Sequence, residues 1–474
     1  MSPVTRFVNA IILPVDGRRE WFTGWLEVTD GVISGIGEGA PTQPCDPATT
    51  TVHDLDGAFL APGFVSAHSH IYTGGMRGVA ASSPLYAWVS DNGRMLAGAD
   101  PDTMYWLSRA GAVDHLSAGV TSVYNFTQSR VVSVFDYETS TLRARSVHPV
   151  SFVTRQIDGV ADSGIRFVTS VRLDDEQLPS DDAFAGFDAV MRHLGDSVAG
   201  EQNLGGSVYG AVQWSSAAVT AEREKWLMDR YGITNQAHFV ETAEQIDIQQ
   251  AKFDWYDEAG VLGEDFAFGH FVHPTARMIE RVAESGSSVV WQPMSNGRLG
   301  SGVADIPTLL RRSVTVGIGV DDQSCTDLTD PFENMRTGLF TQRAVHSDAA
   351  VLTPTQVLHA HTLGAAQAIG VADRVGSLEV GKYGDVVVVD PKRPDTGPIW
   401  DPVATYVLAC GQRNLRDVYV GGTRMWPAAD ELLDELRAQT HGRMIASAAK
   451  AGVHPAVIHP AAVPPAAVRP AAVD

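Results

Sequence analysis

"GFVSAHSHIYTGG", residues 63 to 75, runs from a short apolar segment through two histidines one residue apart into a glycine pair. Read as a strand, it carries His68 and His70 at its C-terminal end and on one side, because alternate residues of an extended segment point the same way. By itself an H-x-H doublet is a weak motif in a chain with 15 histidines. Its meaning depends on what the rest of the chain builds around it.

Downstream, seven more short β-branched or aromatic runs follow: "VTSVYNF", "IRFVTSVR", "SVYGAVQW", "TNQAHF", "FAFGHF", "SVVWQP" and "TVGIGVD". Each precedes a longer stretch that can be helical. Eight such units over about 310 residues predict an α/β fold, a (β/α)8 TIM barrel. A doubly wound open sheet is the alternative, but it needs a Gly-rich phosphate loop after its first strand, and "HSHIYTGG" is not one.

The flanks have a different texture. From Phe7 to Leu60 short strands are broken by Asp-Gly turns, and the same character returns in "GSLEVGKYGDVVVVDP" and "LRDVYVGGTRMW". Residues 1–61 and 373–428 are therefore expected to make one small β-sandwich domain from both chain ends, around a barrel over 62–372. A helix is expected over 429–452. The Pro/Ala/Val stretch over 453–474 cannot bury a core and is expected to be mobile, with His454 and His459 incidental.

Composition restricts the function classes. A net charge of -21 repels both a nucleic-acid backbone and an anionic membrane, so neither is an expected partner. Three separated cysteines, Cys45, Cys325 and Cys410, suggest neither a disulfide framework nor a thiolate zinc site. With no apolar run of membrane length and no signal-peptide pattern at residues 1–17, a cytoplasmic protein with a small-molecule substrate is the expectation.

Barrel enzymes keep their chemistry at the C-terminal ends of the strands. His68 and His70 end strand 1, His238 strand 5, His270 strand 6 and Asp321 strand 8. Three imidazoles and a carboxylate from this group suit one divalent transition metal with an open position for water. Glu241, three residues beyond His238, is placed to contact such a water as an acid-base group. His359 and His361 provide a contrast: "PTQVLHAHTLGAAQAIG" reads as helix, where residues two apart diverge, so that pair is expected to be structural.

These segments resemble the amidohydrolase superfamily, in the branch that holds triazine hydrolases and adenosine-type and guanine deaminases. "APGFVSAHSH", "AHFVETAEQ", "GHFVHP", "MSNGRLGSGVADIPTLL", "VGIGVDD" and "GSLEVGKYGDVVVVD" look like its signatures in the family's order. The resemblance implies His68, His70, His238 and Asp321 as metal ligands, Glu241 as proton shuttle and His270 as the imidazole supporting the water and the developing oxyanion. No lysine occurs in "SVYGAVQWSS", where binuclear relatives carry a carboxylated one, so a single metal is implied, zinc first, with iron or cobalt also suited to His3Asp. Homo-oligomers are common in the family and one is expected.

Departures from the family pattern bear on substrate. Trp214 stands where purine-type deaminases show a histidine after strand 4, and Trp291 with Gln292 where they show H-N-P on strand 7. Tyr72, Trp88, His273 and Asp322 are further candidate substrate contacts, while Arg77 is expected to hold its loop. Two indoles supply apolar area and one donor each. The expected reaction is hydrolysis of a non-peptide C-N bond in an N-substituted amide, urea or (thio)carbamate, resembling phenylurea and thiocarbamate (molinate) hydrolases. The alternatives are deamination or dehalogenation of a purine-, pterin- or triazine-type heterocycle and, remotely, a non-catalytic barrel, which the complete ligand set disfavours.

Overall fold

Eight parallel strands form the central sheet: Phe64–His70, Val120–Phe126, Arg166–Val171, Asn203–Gly210, Thr234–Phe239, Phe266–His270, Ser288–Trp291 and Val316–Ile318. Just past Ile318 the chain pairs with the first strand, Asp321 opposite Ser69 and Asp322 opposite His70, and the ring closes. The fold is a (β/α)8-type barrel. It comes from a computed structural model that describes residues 3–456 apart from 43, 197, 199 and 395. His459 and residues 457–474 of the Pro/Ala stretch lie outside the described residues.

Strand alternation sorts the apolar side chains into two layers. Val65, Ala67, Tyr124, Phe126, Val168, Ala267 and Val290 share the inner cluster, whereas Val123, Phe167, Phe268, Val289 and Trp291 join the larger cluster beneath the surrounding helices. The first strand departs from strict alternation. A register shift lies between Ser66 and Ser69, and Ser66 Oγ bonds His68 O at 3.0 Å and Ser69 Oγ at 2.7 Å. This irregularity lets Val65 and Ala67 fill the interior and His68 and His70 turn into it as well, the kind of re-aiming that bulges provide beside sites.

The second unit does not pass directly from strand to helix. Between Val120–Phe126 and the helix Ser151–Ala161 the chain makes an antiparallel hairpin, Val131–Asp136 with Thr141–Val147. Alternating β-branched residues in "VVSVFD" favour strand over helix there.

Both chain ends contribute to a second, eight-stranded sheet. Its order runs Thr423–Trp426, Leu415–Val420, Val386–Val389, Phe59–Pro62, Val4–Ile12, Phe22–Thr29, Val32–Glu38, with Thr50–Asp54 also beside Val4–Ile12. Phe7, Ile12, Leu26, Leu60, Val386 and Val388 form its own core. A helix, Asp430–Lys450, then packs Met444 and Ala448 against the cluster that contains Tyr72 and Met95. Among the described residues no helix is long and apolar enough to cross a membrane.

A desolvated ion pair joins the sheet to the barrel. Arg166 Nε meets Asp385 Oδ2 at 2.8 Å with both side chains almost fully buried, Arg166 also donates to Glu201 O, and Asp385 accepts from Gly421 N–H. Removing one partner of such a pair strands a buried charge. Asp385→Ala is expected to lower unfolding stability by about 3–5 kcal/mol in denaturant titrations, and the double change Arg166→Met/Asp385→Leu to recover most of that loss. Equal destabilisation by the single and double changes would show that the pair's charge is not what matters.

Candidate active site

Four imidazoles and three carboxylates meet at the C-terminal end of the barrel, all buried. His68 Nε2 lies 3.5 Å and His70 Nε2 3.9 Å from Asp321 Oδ1, while His70 Nε2 and His238 Nε2 are 3.0 Å apart. His270 Nε2 stands 3.5 Å from Glu241 Oε2 and 3.8 Å from Asp321 Oδ2. Asp322 Oδ2 is 3.7 Å from His70 Nε2. His68 is shared by two overlapping sets with metal-ligand spacing, one with His238 and His270 and one with His70 and Asp321.

Left-handed backbone at the strand ends sets these positions. Val240, His270, Phe271 and Asp321 have φ of 46°, 68°, 49° and 71°, which non-glycine residues adopt at a cost and which cluster at functional sites. Glycines give room beside His68: a Cβ at Gly319 would lie 2.5 Å from His68 Cβ, and one at Gly269 3.0 Å from its ring.

Hydrogen bonds from behind orient the rings. His68 Nδ1 pairs with Gln236 Oε1 at 2.6 Å, so that nitrogen donates and Nε2 presents a lone pair inward. Gln236 is itself fixed by donating to Ala67 O. Asn296 Nδ2 lies 2.9 Å from His270 Nδ1; with the amide donating, the proton of neutral His270 sits on Nε2, facing Glu241 and Asp321. His70 stacks on Phe126 at 4.9 Å and 14°.

Burial dominates the electrostatics. It lowers the His70 and His270 pKa values to about 3 and depresses those of His68 and His238, so the imidazoles are neutral. It raises Glu241, with Asp321 adding to the effect. Asp321 is pulled the other way, held ionised by His68, His270 and His70 against desolvation.

The residues present fit a cation. His68 Nε2, whose lone pair faces inward, and Glu241 Oε1 are buried without hydrogen-bond partners. Ligand atoms around a tetrahedral ion at about 2.1 Å stand roughly 3.4 Å apart. The separations of 3.0, 3.5 and 3.9 Å among His68, His70, His238 and Asp321 bracket that spacing.

A cavity of about 890 Å³, counting its open mouth, leads to this cluster. Tyr72, Trp88, Trp214 and Asp322 line it. Three other candidate substrate contacts do not. Trp291 shares the outward parity of Val289 and packs against Gly338, where a Cβ would lie 2.5 Å from its ring. Gln292 accepts the His270 backbone N–H at 2.9 Å, holding that residue from behind. His273 bonds Ser301 O at 2.6 Å and ties two loops together. The sequence places strand 7 correctly but does not reveal which of its faces looks inward.

Arg77 bonds Gly74 O and Asp114, as a loop-holding residue does. His361 is buried against Val65 O, His359 lies in the helix Pro354–Ala360, and exposed His454 lies in the C-terminal stretch; none of them belongs to the site clusters. Residues not singled out from sequence include Tyr209 and Arg172, both lining the cavity. Arg172 Nε, 3.6 Å from Asp174, makes no hydrogen bond. A polar residue directly after the strand "IRFVTSV" was the available signal for Arg172. Tyr209 carried none beyond its place on a strand.

A barrel that gathers imidazoles and carboxylates at its mouth is the architecture of a metal-dependent hydrolase. The chain belongs to the amidohydrolase family, whose model matches residues 59–425. It is 26% identical over 432 residues to a 5-methylthioadenosine/S-adenosylhomocysteine deaminase of Syntrophobacter fumaroxidans, covering 88% of this chain and 91% of the relative. An S-triazine hydrolase of Gordonia rubripertincta is 34% identical over 170 residues, 36% of each chain. Among solved structures, a zinc-bound adenosine deaminase from Xanthomonas campestris superposes with a TM-score of 0.78 at 24% identity, over 93% of this chain and 98% of that one.

The two tryptophans should behave differently. Trp291→Ala, buried in the apolar cluster beneath the helices, is expected to cost about 3–5 kcal/mol of unfolding free energy. Trp214→Ala, at a cavity wall, should cost less. Denaturant midpoints check this; equal losses would place both rings in the same environment.

Proposed function

We propose that this chain uses one divalent transition metal to hydrolyse the exocyclic bond of a nitrogen heterocycle, releasing ammonia or halide from a ring carbon. The observation that carries this reading is the pairing of Glu241 with His270 beside the His68, His70, His238 and Asp321 group, at the closed end of one cavity. Deaminases and a triazine hydrolase among its relatives support the heterocycle as substrate class. The urea and thiocarbamate reading rested on two pocket indoles, and Trp291 is not in the pocket.

His68, His70, His238 and Asp321 would hold the metal. When bound, such an ion supplies the Lewis acidity that makes water nucleophilic near neutral pH. Zinc, iron and cobalt all suit this donor set.

Glu241 accepts the proton of the attacking water and delivers it to the departing nitrogen, a role suited to a carboxyl whose pKa burial has raised. His270, held at Nδ1 by Asn296 and at its backbone by Gln292, presents Nε2–H to the negative charge that builds as the ring carbon is attacked. Burial of Glu241 and His270 keeps bulk water from competing for these bonds. Tyr72 and Asp322 bind and orient the ring, and Trp88 and Trp214 wall the same cavity.

A second reading, hydrolysis of an N-substituted amide, urea or (thio)carbamate, keeps one observation in its favour, the apolar walls at Leu85, Trp88 and Trp214. Purified, metal-analysed protein offered aminated and halogenated purines, pterins and triazines alongside N-alkyl ureas and thiocarbamates separates the two. Ammonia or halide release is expected. Release of organic amine from the ureas or thiocarbamates alone would favour the second reading.

Two variants test the assigned roles. His68→Ala is expected to lose most of its metal, and stoichiometric metal with full activity would show that His68 is not a ligand. Glu241→Gln should keep its metal while turnover falls by roughly a hundredfold or more. Near-normal turnover in the metal-replete variant would make Glu241 a structural residue.

A further inference from the structure

The hairpin Val131–Asp136/Thr141–Val147 interrupts the strand-to-helix alternation, and it faces the cavity. Val131, Ser133 and Leu142 line the same space as Glu241 and Asp321. The helix Leu85–Leu96 also lines it, through Leu85, Trp88, Val89, Asn92, Gly93 and Leu96. None of the residues that these two elements contribute is charged. The charged lining residues, Arg172, Glu241, Asp321 and Asp322, all belong to the strand ends and the loops just beyond them.

A close seam joins hairpin to helix. At Gly93 a Cβ would lie 2.3 Å from Ser133 O, so only a glycine permits this approach. Phe135 N–H donates to Ser90 Oγ at 3.1 Å. The rings of Tyr86 and Phe135 stack at 3.8 Å with 2° between their planes, and Trp214 meets both edge-on at 5.8 and 6.4 Å. Leu85, Trp88, Phe135, Trp214 and Leu299 form one apolar cluster, with Val89 and Leu142 packed against it. The cavity thus joins a polar reacting end to an uncharged, mainly apolar wall from two elements held in register.

We propose that this wall is a subsite for an alkyl or aryl substituent carried by the reacting heterocycle, and that Gly93 is its specificity-determining position because it sets the distance between helix and hairpin. The proposal rests on the heterocycle reading for the identity of the ring, but not for the apolar character of the group bound. A bare aminopurine or aminotriazine would leave this wall unfilled. A ring bearing an N- or S-alkyl group would cover it.

The test uses the full-length, metal-loaded protein and a probe series, 2-chloro-4,6-diamino-1,3,5-triazine and its N-methyl, N-ethyl and N-propyl derivatives. Binding is followed by isothermal titration calorimetry and turnover by chloride release. In the unmodified protein, Kd should fall about fourfold for each added methylene. In Gly93→Ala, whose new methyl displaces Ser133, and in Leu142→Ser, which needs no backbone shift, the propyl-to-parent affinity ratio should collapse to less than a quarter of its original value. A flat series in the unmodified protein, or an undiminished gradient in Leu142→Ser, overturns the subsite. A steep gradient that both variants flatten, with no turnover of any heterocycle, supports the subsite and instead removes the reaction proposed above.

Discussion

Neutral imidazoles and carboxyl groups packed into one dry volume present more lone pairs than protons, and that imbalance organises the molecule. His70 and His238 bring ring nitrogens to 3.0 Å, and Asp321 lies within 4 Å of three imidazoles. In water such groups would protonate or separate. Here burial keeps the rings neutral, and the groups are compatible with one another when a cation takes the lone pairs. The left-handed residues at three strand ends, the irregular first strand and the glycines beside His68 all work toward this convergence.

Outside that centre stands a layer of residues that fixes which atom of each ring faces inward. Gln236 behind His68 and Asn296 behind His270 carry no reacting proton, yet each decides where one sits, and Gln292 holds the His270 backbone. Their burial among apolar neighbours makes these bonds difficult to exchange for water. Catalytic geometry here is a property of side chains two bonds removed from the chemistry as much as of the groups that perform it.

How much of this the sequence discloses depends on the range of the interaction. The eight strands are legible because each is a local run of β-branched and aromatic residues, and His68, His70, His238, Glu241, His270 and Asp321 are legible because each sits at the end of one. Parity is harder: Val289, Val290 and Trp291 are all apolar, and nothing in their order says that Trp291 faces the helices. His273 and Gln292 look like site residues by position, but their partners, Ser301 O and the His270 amide, are set by loop conformation. The hairpin after strand 2 lies in a stretch whose length also suits a helix, and Arg172 and Tyr209 become visible once the strands stand side by side.

The sheet drawn from both chain ends also has a consequence in time. Phe59–Pro62 pairs on one side with Val4–Ile12 and on the other with Val386–Val389, which the ribosome makes roughly 320 residues later. At about 5–20 residues per second the open edge of Phe59–Pro62 waits some 15 to 65 seconds for its partner. During that interval an apolar strand with unpaired backbone groups is a template for another chain. The barrel, whose strands pair in order of synthesis, can form before the sheet is complete, so Val386–Val389, a strand made late, is seated beside one made early.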